Sequence, residues 1–514
     1  MNKKIRLILF LTFTSTYLTN VFAQSDSLIR YSDLSFHSDF EKEAIENFVF
    51  QNRDTFNLFL AIDEEMTLKE AKWRKDIYLS VFKELEDKKI QTKKIHKKIK
   101  LSYSNVHSRF LKKYNDNEYF PVIFQTGTYN CVSASMLYAI IFDNLDIPYK
   151  VKASSSHVYL VANPGSNSIV IETTNPGFEQ KIFTGEFKQQ YVNYLRTSKL
   201  ISESEYKNKS TEEIFEEKFK EVRDAEFNNL PGFQYYNKAL TKLQNNETEE
   251  ALRLSQKAYF FYPDYQVRNL LHSSLLFHIE KCNFDKVSDI DYLAQLTRFE
   301  NTAMNAVVGI FNNIIYHHLQ YTDKEAFCDS LNARLISQIT DKMLIDEINF
   351  TYNLQMSYRY QNSDKVENYV AKAIAIKGNH HDAKIIMENH LQKKLFGISN
   401  SMILLDTINQ LENRYDHEII NPILKEHKLR AYLQQANDSF SKKRISEGNK
   451  YLLEFENNCR PPIKSQMLNT LIENTYRTAA VYYFYKGYKS KAKTYVNRGL
   501  KYVPNSRLLE SAVY

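Results

Sequence analysis

Two stretches of the chain decide its predicted fold. Residues 125–145 read QTGTYNCVSASMLYAIIFDNL, and residues 157–173 read HVYLVANPGSNSIVIET. In the first stretch, apolar residues recur at helical spacing from Cys131 onward, which predicts an amphipathic helix over 131–145. In the second, two alternating apolar runs flank the turn residues 163–167. This pattern predicts two β-strands joined as a hairpin.

Cys131 is the first candidate for chemistry. It follows a glycine-containing loop and Asn130, whose side chain suits a helix N-cap. A thiol in the first turn of a helix feels the positive end of the helix dipole, which favours the thiolate and lowers the thiol pKa. The thiolate is the attacking form of cysteine, so this position fits a nucleophile. A small buried residue in a first turn is an equally open interpretation of Cys131 alone.

His157 and Glu172 extend this candidate site. His157 begins the first predicted strand, where its imidazole can accept the thiol proton and return it to a leaving group. Glu172 lies on the second strand and can orient the imidazole. A two-residue loop gives strand partners whose numbers sum to 329, which pairs these two residues directly. A four-residue loop gives a sum of 331, which makes them diagonal neighbours on one face. Chance polar residues at strand ends are the alternative.

These segments resemble the transglutaminase-like superfamily, and they follow its order of Cys, His and acid. The resemblance covers residues 115–180. It implies an α+β domain with a papain-like fold and thiol acyl transfer, either amide hydrolysis or transfer to an amine. The family's acid is usually Asp, whereas Glu172 stands at that position here. The segments that carry the resemblance are 126–135, 145–151, 156–160 and 169–174.

Gln125 is a candidate oxyanion donor. Its spacing, six residues before Cys131, is similar to that of the glutamine in papain-like proteases, whose side-chain amide donates to the oxyanion. A solvent-exposed loop glutamine is an equally open interpretation. Asn175 is a second candidate for orienting the imidazole of His157. Tyr159 is similar to the aromatic residue that the family often places two positions after its histidine.

The sequence predicts no cofactor and no metal site. It has no Cys-x-x-Cys pair, phosphate-binding loop, dinucleotide-binding glycines or EF-hand loop. The adjacent pairs His317–His318 and His380–His381 diverge by about 100° on a helix, so neither pair is suited to chelating one ion. Whether Cys282, Cys328 and Cys459 form a disulfide is open.

The chain after about residue 205 is predicted to be helical. Only 11 Gly and 10 Pro accompany 36 Tyr and 33 Phe in 514 residues, which favours long helices. Small residues and a proline outline a helix–turn–helix over 239–263, and the outline recurs over 479–504. Weaker copies lie at 371–373 and 432–455. The pattern resembles tetratricopeptide repeats, which bind peptides or proteins. A generic helical bundle is the alternative.

Residues 1–23 are predicted to be a secretory signal peptide. Three basic residues precede an apolar run, and Val21-Phe22-Ala23 fits a cleavage site. The interpretation predicts an exported protein, periplasmic or secreted, without stable membrane insertion. The formal charge of +7 falls to +4 without the three basic residues, which gives no reason to predict nucleic-acid binding. Seven lysines within 88–100 indicate a solvated helix face or a surface for a polyanion or a membrane.

The sequence thus predicts three parts: a signal peptide over 1–23, a transglutaminase-like domain over 24–200, and an all-α array of tetratricopeptide-like repeats over 205–514. The favoured function is an exported cysteine-dependent acyl-transfer enzyme that acts on a peptide or protein amide. Its predicted catalytic residues are Cys131, His157 and Glu172. The rival hypothesis is a non-catalytic interaction scaffold that retains the domain without its activity. The oligomeric state is not predicted.

Overall fold

The structure is a computed structural model, and it is mostly helical (73%) with few strands. It divides into two compact units. The first ends at residue 307 and includes residues 337–339, and the second comprises 308–336 and 340–514. The structure describes residues 28–513 except 52–53, 154–156, 166–167, 172–184, 186–187, 190–191, 194–195, 197–200, 220–222, 301, 322–323, 416–419 and 462. The predicted signal peptide therefore lies outside the described residues.

The described helices of the first unit fall into two groups, one before residues 149–171 and one after them. Most of them begin at a side-chain cap; Thr67, for example, accepts the N–H of Glu70. They are α1 (Asp39–Glu46), α2 (Thr55–Leu60), α3 (Leu68–Asp87), α4 (Ile95–Phe110), α5 (Cys131–Asn144), α6 (Glu203–Asn208), α7 (Thr211–Phe219), α8 (Leu230–Gln244), α9 (Thr248–Phe261), α10 (Tyr265–Lys281) and α11 (Ile290–Leu296); α12 (Met304–Tyr321) begins at the end of this unit.

The strands form two small sheets. In one, β1 (Lys113–Tyr114) runs parallel to β2 (Thr128–Tyr129). The other has four antiparallel strands in the order β5-β4-β3-β6. Those strands are β3 (Tyr149–Ala153), β4 (Val158–Ala162), β5 (Ile169–Ile171) and β6 (Arg223–Ala225).

Helix α5 is the centre of the first unit. Its start at Cys131 and its cap at Asn130 confirm the prediction, but its amphipathic character does not hold. Every residue from Cys131 to Phe142 is buried. The helix packs against β4, α2, α4 and α8, so it has no solvent face. A helix that is apolar all round is a core helix.

The predicted hairpin is present as β4 and β5. Leu160 pairs with Ile171 and Ala162 pairs with Ile169, so partner numbers sum to 331. This is the register expected for the four-residue loop. Strand β6 differs from the prediction, because residues 223–225 lie in the stretch expected to be wholly helical. It pairs with β3, where Val151 is opposite Ala225.

Helix α8, expected to belong to the repeat array, is part of the first unit's core. Leu230 and Phe233 belong to the same apolar cluster as helix α5. The buried Gln234 side chain accepts the N–H of Phe120 (2.8 Å) and donates to the carbonyl of Phe59 (3.1 Å). The division between the two compact units therefore does not coincide with the boundary predicted near residues 200–205. That boundary concerns domains that fold independently, and it stays a prediction.

A buried ionic network joins α1 to α9. Glu41 is 3% exposed, and its carboxylate accepts hydrogen bonds from Lys257 Nζ (2.6 Å) and the Tyr235 hydroxyl (3.1 Å). Arg253 lies 3.5 Å from the same carboxylate. Burial lowers the pKa of Lys257 to about 8, although Glu41 acts in the opposite direction. The network replaces the water that each charge loses on burial.

Pairs of helices joined by short turns recur where the sequence predicts repeats. Helices α8 and α9 form the first pair, and Gly232 permits their close approach. A Cβ at Gly232 would lie 2.6 Å from Tyr262 Cβ and 3.0 Å from the carbonyl oxygen of Ala258. The region after about 205 is thus mainly helical as predicted. Its assignment to the tetratricopeptide family remains a prediction.

The second unit is built from further helices of this kind. No helix in the described part of the chain is both long and apolar enough to cross a membrane. After α12 come α13 (Glu325–Gln338), α14 (Lys342–Arg359), α15 (Lys365–Ile376), α16 (His381–Phe396), α17 (Ser401–Arg414), α18 (Asn421–Ser441), α19 (Ile445–Asn458), α20 (Gln466–Tyr485), α21 (Lys489–Leu500) and α22 (Arg507–Glu510).

Candidate functional site

The loop before Cys131 has a conformation that only glycine adopts easily. Gly127 has φ +77°, and a Cβ there would lie 2.8 Å from the Lys112 side chain and 3.0 Å from the Phe110 carbonyl. The Gly127 carbonyl accepts the N–H groups of Lys112 (2.9 Å) and Lys113 (3.2 Å). These bonds align β1 with β2 and fix the direction in which the chain enters α5.

Asn130 fixes the start of the helix. Its Oδ1 accepts the N–H of Ser133 (2.8 Å), and its own N–H donates to Ser133 Oγ (2.9 Å). Its Nδ2 donates to the carbonyls of Asp116 (3.1 Å) and Glu118 (2.7 Å). One buried side chain thus caps α5 and holds the 116–118 turn against it. Cys131, at the first helical position, is 7% exposed.

Tyr114 is a neighbour of the thiol that the sequence analysis missed. Its hydroxyl lies within hydrogen-bonding reach of Cys131 and donates to Asp116 Oδ1 (2.7 Å). Burial, and then the nearby thiol and the Asp116 carboxylate, raise the pKa of Tyr114 well above its usual range. The hydroxyl therefore stays protonated at neutral pH. No local motif marks Tyr114, because the parallel pairing of β1 with β2 brings it to the thiol.

His157 is adjacent in sequence to Val158, the residue of β4 that forms a hydrogen bond with α5. Ser135, one helical turn after Cys131, donates from Oγ to the carbonyl of Val158 (3.1 Å). His157 immediately precedes Val158 and is partly exposed. Its ring stacks on Tyr159, with centroids 5.6 Å apart and planes at 21°. The fold thus brings the histidine segment to the N-terminal half of the cysteine helix.

Three other predicted site residues remain. Glu172 and the fallback Asn175 lie outside the described residues. Gln125 is described; it follows the 3₁₀ turn Phe120–Phe124, and its side chain is exposed. Its role as an oxyanion donor therefore stays a prediction.

The remaining cysteines differ from Cys131 in their surroundings. Cys282, Cys328 and Cys459 are free thiols rather than disulfide partners. Burial raises the pKa of Cys328 to about 11, and burial also raises the pKa of Cys282 and Cys459. All three are therefore poor nucleophiles at neutral pH.

One cluster of potential metal ligands lies in the described part of the chain, at His37, Glu64 and Glu250. Basic side chains already pair with both carboxylates. Lys238 Nζ is 2.7 Å from Glu64, and Arg253 Nη2 is 2.6 Å from Glu250. A divalent cation would have to compete with these charges, so the cluster is better described as a salt-bridge network.

The predicted divergence of the first histidine pair is confirmed, because His317 is exposed whereas His318 is buried. The pair His380–His381 lies at the start of α16. Its first ring faces Phe350, with centroids 4.7 Å apart.

A polar pocket of about 710 Å³ lies among α15, α16 and α17 of the second unit. Glu367, a buried residue of the pocket lining, accepts hydrogen bonds from His390 (3.3 Å), Lys394, Arg414 (3.3 Å) and the Tyr415 hydroxyl (3.0 Å). The bonds from His390 and Lys394 lower the pKa of Glu367 to about 2, despite its burial. The carboxylate thereby fixes two cations at the wall of the pocket. The other lining residues are Asp364, Asn368, Ala371, Lys372 and Ala375.

Comparison with known proteins adds no constraint to these observations. No protein-family model, no curated protein and no solved structure matches the chain.

Proposed function

We propose that the chain is an exported cysteine-dependent acyl-transfer enzyme acting on a peptide or protein amide, with an α+β, transglutaminase-like domain of papain-like type. The observation that carries the proposal is the 3.1 Å bond from Ser135 to the Val158 carbonyl. It ties the helix that begins at Cys131 to the strand that follows His157. A nucleophile and its base must lie within reach of each other, and this link supports that arrangement.

In the proposed reaction, the Cys131 thiolate attacks the carbonyl carbon of the amide. The C–N bond then breaks, and His157, which took the thiol proton, gives that proton to the departing amine. The product is a thioester on Cys131. Water or a second amine attacks this thioester, loses a proton to His157 and releases the acid or the new amide. Glu172 would orient the imidazole and stabilise its protonated form.

Two groups are proposed to stabilise the oxyanion of the tetrahedral intermediate. The backbone N–H of Cys131 belongs to the first turn of α5, where N–H groups have no partner within the helix. The second is the Gln125 side chain, whose exposure leaves it able to turn toward a bound substrate. Tyr114 adds a protonated hydroxyl beside the sulfur; its single proton is donated to Asp116 in this structure, and it would stabilise the thiolate by turning that proton to the sulfur.

The helical repeats are proposed to bind the peptide or protein partner. The pocket around Glu367 supports this role, because its size lies in the range of ligand sites. Lys394 and Arg414 are held in place by Glu367, so part of the entropy of ordering them is lost before a partner binds.

The rival function, a non-catalytic interaction scaffold, is favoured by one observation. Cys131 is only 7% exposed, whereas a nucleophile must meet its substrate. In this alternative the thiol is a small core residue and the repeats alone carry the function. The two hypotheses differ in whether any turnover depends on Cys131 and His157.

The test measures hydrolysis and amine incorporation on a peptide library, beside partner pull-down, for the full chain and its variants. Cys131→Ala and His157→Ala should each reduce turnover by at least about 10³-fold, and the double variant should be no worse. Glu172→Gln should cost less, because it removes orientation and charge support only. Cys282→Ser, at a partly buried cysteine away from the site, should keep full turnover.

Two results would contradict the proposal. Turnover that survives His157→Ala would remove the histidine from the mechanism. No turnover with any substrate, together with partner binding that is lost only when Lys394 or Arg414 is replaced, would favour the scaffold.

A further inference from the structure

The turn between α3 and α4 carries a concentration of positive charge that the proposed reaction does not use. Residues 88–100 contain seven lysines and no carboxylate, and with Glu86 and Asp87 the local charge is +5. One of the lysines has a structural role, because Lys98 Nζ donates to Gln91 Oε1 (3.0 Å) and to the carbonyl of Leu145 (3.5 Å). The other six form what we call the lysine surface: Lys88, Lys89, Lys93, Lys94, Lys97 and Lys100.

These six lysines have no ionic partners within the described part of the chain, and five of them are exposed. Other lysines of the first unit are paired; Lys75, for example, lies 3.2 Å from Asp54, and Lys238 lies 2.7 Å from Glu64. Like charges so close together repel one another, and here only Glu86 and Asp87 offset part of the repulsion. An anionic partner would provide the missing charge.

The chemistry of the segment narrows the class of partner. Its three isoleucines pack inward, since Ile90 and Ile99 are each 1% exposed and the partly buried Ile95 packs against the same core cluster, so no apolar wedge is left to insert into a bilayer or between bases. It contains no Phe, Tyr or Trp on which bases could stack, with His96 its one aromatic ring, and no arginine for bidentate recognition of a base or phosphate. The segment therefore offers only the point charges of its lysines, which suit a partner whose negative charge is spread over a surface.

The position of the lysines favours a partner with a planar surface over a single-stranded polyanion. They lie in the turn that joins two packed helices, α3 and α4, and on the first turns of α4. Single-stranded polyanions are bound by charges that line a groove, whereas the tip of a helix pair can meet a plane. We propose that the lysine surface binds the anionic headgroups of a lipid bilayer, holding the protein at the membrane by charge alone.

This surface is separate from the candidate active site. Lys98 contacts Leu145 at the C-terminal end of α5, and Cys131 is at the opposite end of that 14-residue helix, about 20 Å away. Neutralising the six lysines should therefore leave the reactivity of Cys131 unchanged. That property makes thiol alkylation, together with far-ultraviolet circular dichroism, an independent check that the variants fold.

The experiment measures sedimentation of the full chain with phosphatidylcholine vesicles and with vesicles in which a third of the lipid is phosphatidylglycerol. The native chain should bind only the anionic vesicles, and about 0.5 M salt should release it. Replacing all six lysines of the lysine surface by Gln should lower the partition coefficient at least about 100-fold. A matched control loses the same charge from exposed, unpaired lysines of the second unit: Lys342, Lys393, Lys425, Lys464, Lys493 and Lys501.

The control should bind within about threefold of the native chain, since its lysines lie outside the proposed contact. An equal loss in both variants would show that net charge alone drives binding and would overturn the assignment. Tighter binding to duplex DNA or heparin than to anionic vesicles would overturn the choice of partner.

Acetylation of the native chain gives a readout without substitutions, because vesicles should slow modification at the six lysines. Unchanged acetylation rates at these lysines would also overturn the proposal.

Discussion

At the scale of single residues, the four cysteines should differ sharply in reactivity. Burial raises the pKa of Cys282, Cys328 and Cys459, whereas Cys131 lies in the first turn of α5 beside the Tyr114 hydroxyl. Although Cys131 is buried as well, we expect it to alkylate fastest at pH 7, because the helix terminus favours its thiolate and Tyr114 can turn its proton from Asp116 to the sulfur. Mass spectrometry of iodoacetamide adducts against pH measures the four rates.

The Tyr114→Phe variant tests the contribution of the hydroxyl. It removes one donor beside the sulfur but keeps the ring that packs on Tyr129. The alkylation profile of Cys131 should shift to higher pH by about one to two units, which is the effect of a single hydrogen bond to a charged group. A native profile that rises only above about pH 8.5, like that of a free thiol, would remove Cys131 as a nucleophile.

Prediction from the sequence succeeded for residues whose structural role depends on their neighbours along the chain. The cap at Asn130 follows from the chemistry of one side chain, and the start of the helix at Cys131 follows from the apolar spacing after it. Tyr114 and Asn130's bonds to the 116–118 turn were missed, because a parallel pairing of two-residue strands has no sequence signal of its own. Such short strands form only because the packed helices on either side hold them together.

At the scale of secondary-structure elements, the contact between α1 and α9 should depend on pH. Burial lowers the pKa of Lys257 to about 8, so between pH 8 and 10.5 the unfolded chain binds more protons than the folded one. The free energy of unfolding should therefore rise with pH across this window, by roughly 3 kcal/mol at most. Below pH 8 Lys257 is protonated in both the folded and the unfolded chain, so the folded chain carries the full free-energy cost of burying this charge.

The Lys257→Met variant isolates this effect, since it fills the site without a titratable group. The difference in unfolding free energy between the native chain and the variant, measured by urea denaturation from pH 7 to 10, should change as the native chain loses its proton. Lys72→Met, at an exposed position of α3, should leave the native pH dependence unchanged. A native profile parallel to that of Lys257→Met would show that the buried amine does not titrate in this range.

The elements themselves were predictable to different extents. The hairpin register, in which partner numbers sum to 331, is the one expected for a loop of four residues, and it was one of the possibilities that the sequence left open. Strand β6 was missed because Arg223, Asp224 and Ala225 have little intrinsic preference for a strand. It forms because the edge of β3 offers unpaired backbone groups, with which another strand can pair. The amphipathic prediction for α5 failed for a similar reason: other elements cover every side of it.

At the scale of the whole molecule, the predicted domain boundary leads to a direct test. The sequence pattern changes near residues 200–205, but β6 and α8 lie beyond that point and belong to the first unit. Local hydrophobic periodicity reports where helices begin. It does not indicate which hydrophobic core a helix joins, because helices of both units show the same kind of apolar periodicity.

We therefore expect a fragment of residues 24–307 to unfold cooperatively and a fragment of residues 24–205 to lack a cooperative transition. The shorter fragment loses the buried side chains of Leu230 and Phe233, worth about 1.5–3 kcal/mol each. It also loses the hydrogen bonds of Gln234 to the Phe120 N–H and the Phe59 carbonyl, worth about 0.5–1.5 kcal/mol each. Together these losses, about 4–9 kcal/mol, are comparable to the whole stability of a typical domain, about 5–15 kcal/mol.

Thermal unfolding followed by near-ultraviolet circular dichroism compares the two fragments. The Gln234→Leu substitution in the full chain provides a point test of the same contact. It should lower the midpoint of the first transition, because it keeps the size of the side chain but leaves both backbone groups unpaired. If the shorter fragment instead melts cooperatively at the midpoint of the longer one, α8 adds nothing to the core. The domain would then end near residue 200, as the sequence alone predicts.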